Sequence, residues 1–164
     1  MRSFSSWDSP IGRLYPVAEK GNLTVIHIGD EDFFNNEPNK DALQEEKNNP
    51  VLLACIKQLE EYFNKTRITF DLPLASAGTP FQQDVWKQLR TIPYGETRSY
   101  QEVAEGTGRP KAVRAVGQAN KANKFPIIIP CHRVIGKNNT LTGYAGSRTN
   151  LKEILLMHEQ SRMQ

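Results

Sequence analysis

Reactive side chains crowd at one place in this sequence, Cys131-His132-Arg133. A cysteine attacks as its thiolate, and a neighbouring base or cation raises the thiolate fraction. His132 can take the thiol proton, and Arg133 adds positive potential. Pro130 fixes the approach, and a helix or turn starting at Cys131 would aim backbone N–H groups at the sulfur. A second reading stays open. Cysteine proteases usually draw their base from a distant segment, and neighbours in sequence need not face each other. The other cysteine, Cys55, recurs with Val51, Leu52, Leu59, Tyr62 and Phe63 at helical spacing, so it reads as a small core residue. Two separate cysteines cannot make a structural zinc site.

Several elements must position that cysteine. Residues 126–131, Pro-Ile-Ile-Ile-Pro-Cys, form a short buried apolar segment that delivers Cys131 to a turn. Thr79-Pro80-Phe81-Gln82 is a capping box with proline at the first helical position, followed by Phe81, Val85 and Leu89 on one face. Ser99-Tyr100-Gln101-Glu102 is a second capping box, opening a short helix to about residue 105. Gly106-Thr107-Gly108-Arg109 is a turn, and Pro110 can start the next helix, to about residue 120. Two short helices around a glycine-containing turn match a helix-turn-helix. The second reads Lys111-Ala-Val-Arg-Ala-Val-Gly-Gln-Ala, and its small residues suit either close approach to a groove or packing against another helix. A last helix starts at Thr149 or Asn150 and runs through Glu159. The stretch between, 137–143, is a polar loop.

The first half reads as α/β. Runs at 3–7, 11–18 and 22–28 have strand character, and 68–72 looks like a further strand. Residues 30–49 are acidic and Asn-rich, an exposed loop or a partly helical connector. A helix begins at Asn49 with Pro50 in its first turn. His27, in an apolar strand, reads as structural. The Pro, Gly and Ser of 72–80 mark a lobe boundary, giving lobes 1–74 and 75–164.

The length of 164 residues suits one compact unit of two small lobes. A chain of this size buries roughly 70% of its unfolded surface, so neither disulfides nor metals are required. No run approaches the roughly 18 apolar residues of a membrane span, and the first ten residues lack the apolar core of a signal peptide. A cytoplasmic protein is expected, or a nuclear one in a eukaryote, with no membrane partner. The net charge of +3 hides an asymmetry. Residues 1–78 carry eight basic and twelve acidic side chains, net −4, while 79–164 carry thirteen and six, net +7. Only the second half is suited to meet a polyanion.

Pro130-Cys131-His132-Arg133-Val134, with Arg114-Ala-Val-Gly and Asn123 before it and Gly143-Tyr144 and Lys152-x-x-Leu-Leu-x-x-Glu159 after it, resembles the O6-alkylguanine-DNA alkyltransferases. The resemblance covers nearly all of 79–164 in order and spacing; 1–78 fit more loosely, through the Ser9-Pro10-x-Gly12 turn and the α/β reading. It implies a ribonuclease H-like α/β N-terminal lobe, a small sheet plus helix. A mainly α-helical C-terminal lobe follows, holding a winged-helix-like helix-turn-helix.

It also implies a reaction: single-turnover transfer of the alkyl group from O6-alkylguanine in double-stranded DNA to Cys131. His132 would remove the thiol proton through a bridging water, and Glu159 would orient and charge that imidazole. Asn123 would hold the Cys–His geometry. Tyr100 would donate to a ring nitrogen of the leaving guanine. The resemblance places the second short helix in the minor groove, with Arg114 replacing a flipped base and Lys111, Ala115, Gln118, Arg109 and Arg133 among the DNA contacts. Tyr144, Val134, Ala145, Gly146 and Ser147 would form the base pocket. No cofactor and no metal are expected, and the protein is expected to be monomeric, with cooperativity on DNA left open. Two positions depart from the pattern: Lys124 where relatives often carry proline, and Ser147 where they often carry a second glycine. Two other classes compete: a DNA-binding sensor whose Cys131 is inert, and a Cys–His hydrolase unrelated to DNA.

Overall fold

Strand β3 (Gly12–Glu19) organises the N-terminal half of the computed structural model, which describes residues 2–75, 77–136 and 149–160. Residues 14–18 are buried without interruption, the pattern of a strand covered on both faces. On one edge β3 pairs antiparallel with β4 (Asn22–Ile28) through the two-residue loop Lys20-Gly21. Both loop residues have positive φ, 53° and 79°, as a hairpin turn matched to strand twist requires. On its other edge β3 takes β1 (Arg2–Phe4) and β2 (Trp7–Ser9) one after the other. The single strand expected over 3–7 is therefore two. The chain breaks at Ser5-Ser6 as it slides along β3, and Ser5 N donates to Pro16 O.

The acidic stretch after β4 is more structured than a loop. It forms α1 (Asp30–Asn36), a 3-10 turn at Lys40–Ala42 and β5 (Leu43–Glu45), which adds parallel to β1. Phe33 of α1 stacks on Tyr15 at 4.2 Å between centroids, and with Val17 they form a core cluster. His27 is buried, with Nε2 2.6 Å from Glu37 Oε2 and Nδ1 3.4 Å from Asp32 Oδ1. Helix α2 (Pro50–Phe63) packs on β3 and is capped by the Asn49 side chain. Its buried face is Leu52, Cys55, Leu59 and Tyr62, and burial pushes the Cys55 thiol up to about 12. The strand expected at 68–72 does not form; the backbone meets the sheet only at Leu74, bridged to Leu23.

The chain divides into units Met1–Ser76 and Ala77–Gln164. The second is built from α3 (Pro80–Leu89), α4 (Tyr100–Gly106), α5 (Val113–Lys121) and α6 (Thr149–Gln160). Both capping boxes form, at Thr79 and Ser99. Helix α5 starts three residues later than Pro110 suggested. A turn closes first, with Ala112 N donating to Arg109 O, and Gln101 Nε2 takes the Pro110 carbonyl. Helices α3, α4 and α5 pack on one another, and α6 packs on a 3-10 turn at Cys131–Arg133. A two-stranded parallel ladder, β6 (Arg98–Ser99) with β7 (Val134–Ile135), brings the start of α4 beside the end of that turn. No helix among the described residues is long and apolar enough to cross a membrane.

Candidate active site

The segment before Cys131 is wound tightly enough to fix the cysteine. Phe125, Ile127, Ile128 and Ile129 are all buried. Ile127 has φ of +73°, a left-handed conformation that disfavours a β-branched residue; strain of this kind persists where its surroundings over-determine it. Ile129 N donates to Phe125 O at 2.9 Å, and Cys131 N to Ile129 O at 2.7 Å. The second bond closes an inverse γ-turn on Pro130 (φ −79°, ψ 65°). Arg133 N then returns to Pro130 O.

Cys131 is only 3% exposed. Its sulfur lies 3.2 Å from Asn123 Nδ2, which also donates to Ile129 O at 2.9 Å. The Asn123 Oδ1 accepts from Phe125 N, so the side chain is held at both ends. Burial pushes the Cys131 thiol up to about 11, against the opposing pull of the Asn123 amide and the Lys152 charge. At neutral pH the sulfur therefore rests as a thiol, and a nucleophilic step must include removal of its proton.

Glu159, on α6, is the hub of the buried hydrogen bonds beside that thiol. It is 1% exposed and accepts four hydrogen bonds: His132 Nε2 at 2.6 Å, Arg133 Nε at 2.8 Å, Arg133 Nη2 at 3.0 Å and Gly95 N at 3.3 Å. Burial alone would raise its pKa. The facing His132 and Arg133 overcome this and hold the carboxyl well below the usual carboxylate range. An ionised carboxylate only accepts, so the proton shared at 2.6 Å belongs to His132 Nε2. Nδ1 then carries the lone pair. Burial lowers the His132 pKa, with Glu159 opposing and Arg133 and Lys152 reinforcing the shift. The resting imidazole is neutral, a base rather than an acid.

Arg133 requires a correction. Two residues after the cysteine, it was expected, from the resemblance, among the DNA contacts. It is 5% exposed instead, with Nε and Nη2 on Glu159, Nη1 on Ile92 O at 2.8 Å, and its guanidinium 5.6 Å from the Tyr94 ring centroid. Buried, and with three of its N–H groups on buried acceptors, the fork is closed to a phosphate. What it does is fix Glu159.

The remaining expected residues fall into two places. Tyr100 opens α4, and the Lys152 ammonium lies 5.7 Å from its ring centroid. Val134 is buried in β7. By contrast Lys111, Arg114, Ala115 and Gln118 are all exposed, on the outer face of α5 and the turn before it. Arg109 is half-exposed and held by Asp84 at 3.2 Å and by the Phe81 ring. Tyr144, Ala145, Gly146 and Ser147 lie outside the described residues.

Lys152 is a site residue to which no role was assigned from sequence. It is wholly buried, electrostatically coupled to Cys131, and lowered to about 8 by burial. The signal was present: Lys152, Leu155 and Glu159 share one face of α6, and a lysine on a buried face needs a reason.

Two family models match the chain. One describes the 6-O-methylguanine DNA methyltransferase ribonuclease-like domain, over residues 4–76, and the other that enzyme's DNA binding domain, over residues 80–161. A Bacillus subtilis protein named methylated-DNA–protein-cysteine methyltransferase, constitutive, is 49% identical over 162 residues, 98% of this chain and 96% of its own length. A crystal structure of Mycobacterium tuberculosis O6-methylguanine methyltransferase superposes with TM-score 0.86 at 43% identity, covering 99% of this chain and 94% of that one. Another, of the Mycobacterium tuberculosis protein in complex with DNA, gives 0.84 at 42% identity over 98% and 94%.

Proposed function

The chain belongs to the 6-O-methylguanine DNA methyltransferase family, and we propose that it repairs O6-alkylguanine in duplex DNA by moving the alkyl group irreversibly onto its own Cys131. The observation that carries this reading is the chain Arg133–Glu159–His132 set beside a buried thiol. A neutral imidazole with its Nε2 proton pinned to a carboxylate offers Nδ1 as the base. The Cys131 sulfur attacks the alkyl carbon, a C–S bond forms, and the bond from that carbon to guanine O6 breaks. The thiol proton goes to His132, whose imidazolium Glu159 stabilises. Electrons left on guanine are offset by the Tyr100 hydroxyl donating to a ring nitrogen. The product thioether is stable, so each molecule acts once.

The target atom is stacked inside the duplex, so the base must be extruded. We assign α4, the glycine turn and α5 to a helix-turn-helix that serves this purpose from the minor groove. Its outer face supports the assignment: Ala115 is small enough for a groove about 6 Å wide, and Arg114 beside it can take the vacated place in the stack. Arg114→Ala is expected to slow repair of duplex about 10- to 100-fold, the equivalent of a few kcal/mol of unstacking. Reaction with free O6-benzylguanine should be unchanged. Equal slowing of both substrates in a stopped-flow comparison would remove Arg114 from base extrusion.

Lys111 is exposed in the turn that precedes α5, where it can meet a phosphate. Lys111→Ala should weaken binding similarly for all sequences and reduce the slope of log affinity against log salt by about 1. An unchanged slope in a fluorescence titration would exclude a phosphate contact. The sensor reading predicts binding with no transfer, and the hydrolase reading predicts activity indifferent to Arg114.

A further inference from the structure

Asn120 lies on the inner face of α5, the helix whose outer face carries Arg114. It is 1% exposed, and its inward neighbours Val116 and Ala119 are apolar. A carboxamide buried in such company is unfavourable unless its polar atoms are bonded. Only half of this one is. Nδ2 donates to the main-chain carbonyl of Cys131 at 3.4 Å, an oxygen that also accepts from Val134 N. Oδ1 has no hydrogen-bond partner among the described residues. For packing alone, leucine would serve better there. The neighbouring carbonyl, that of Ala119, accepts from Trp86 Nε1 at 2.9 Å. The Trp86 ring fits because residue 78 is glycine; a Cβ there would stand 2.7 Å from it. Helix α3 thus grips the same turn of α5 from which Asn120 reaches the nucleophile.

We propose that Asn120 is a positioning residue for the transfer reaction. Its amide ties the last turn of α5 to the peptide of Cys131, so that seating α5 on DNA and placing the sulfur are one event. Asn123 holds the sulfur itself, and Asn120 holds the peptide that carries it. The inference rests on the function proposed above.

The test is Asn120→Leu, which keeps the volume and removes the amide. Four quantities are read beside the wild type: single-turnover transfer from a saturating O6-methylguanine duplex, reaction with free O6-benzylguanine, duplex Kd, and Tm. Transfer should slow about tenfold with both substrates, as a displacement well under 1 Å at the attacking atom would produce. Kd should stay within about twofold, because the outer face of α5 is untouched, and Tm should be equal or higher. An amide that only supported the fold would lower Tm, and a DNA contact would spare the free base; either pattern overturns the proposal. Asn120→Ser, too short to reach the Cys131 carbonyl, should show the same tenfold loss and serves if the leucine variant does not fold. Wild-type rates in the folded variant overturn the inference alone. A wild-type protein that takes up no methyl group overturns the functional reading, and this inference with it.

Discussion

Cys131→Ala is expected to bind an O6-methylguanine duplex as the wild type does and to transfer nothing. The loss should exceed about 10⁴-fold, because the other potential nucleophiles, His132 and Glu159, are tied into the buried hydrogen-bond chain. His132, Glu159 and Tyr100 can move or stabilise charge, but they leave no thioether. The fold should survive within about 1.5 kcal/mol, since one heavy atom is removed from a small buried side chain. Asn123 loses the sulfur contact at 3.2 Å but keeps Ile129 O at 2.9 Å and Phe125 N at 2.9 Å. Binding should persist because Lys111, Arg114 and Gln118 are exposed on α5 and the turn before it. Electrophoretic mobility with labelled duplex, followed by digestion and base analysis, separates binding from transfer. Methyl transfer by this variant would place the nucleophile elsewhere.

Glu159→Gln should injure both stability and rate. Removing one partner of a buried, hydrogen-bonded ion pair typically costs about 3–5 kcal/mol, and Arg133 would be left with its charge buried against a neutral amide. For a chain of this length each kcal/mol moves Tm by about 2–4 °C, so a fall of roughly 10 °C is expected. Transfer should slow by about 10²- to 10⁴-fold, up to the cost of neutralising the carboxylate that orients a catalytic histidine. The carboxamide neither fixes the Nε2 proton as firmly nor stabilises an imidazolium. The pH dependence has a definite sign. The Glu159 carboxyl titrates lower in the folded state than its ordinary value of 4.5. Its contribution is therefore fully present above that value and fades as pH falls toward the folded one. The stability gap between wild type and variant should be widest from pH 5 upward and should narrow toward pH 3. Urea unfolding at both ends of that window checks it, and a gap of constant size would show that the charge on Glu159 is not what Arg133 needs.

Local signals and long-range ones were legible to different degrees. Thr79 and Ser99 announced α3 and α4 because a capping box is complete within four residues. Asn49-Pro50 did the same for α2. Sheet pairing carries no such local mark. Nothing in residues 43–45 shows that they will lie parallel to β1, and nothing in 68–72 shows that an apolar run will stay unpaired. At the site, Cys131 and His132 could be named from residue type and adjacency, while Asn123 and Glu159 followed only from the family resemblance. Arg133 could not be placed, because the cysteine is only two residues before it in sequence while its partner in space is 26 residues away. Beside a thiol, a cation reads as a charge for sulfur or DNA; only the folded chain shows it spent on a carboxylate. Asn120 was hidden for a related reason. Among the small residues of α5 it looks like one more neutral position, and its meaning depends on the Cys131 carbonyl arriving next to it.

The central claim is the single transfer to Cys131, and intact mass spectrometry tests it most directly. Wild-type protein is mixed with an equimolar duplex carrying one O6-methylguanine, weighed, and then digested for peptide mapping. One added methyl group, on the peptide that contains Cys131 and never more than one per protein with excess duplex, is the predicted result. No mass gain while the duplex remains bound, or a methyl group carried on Cys55, would contradict it.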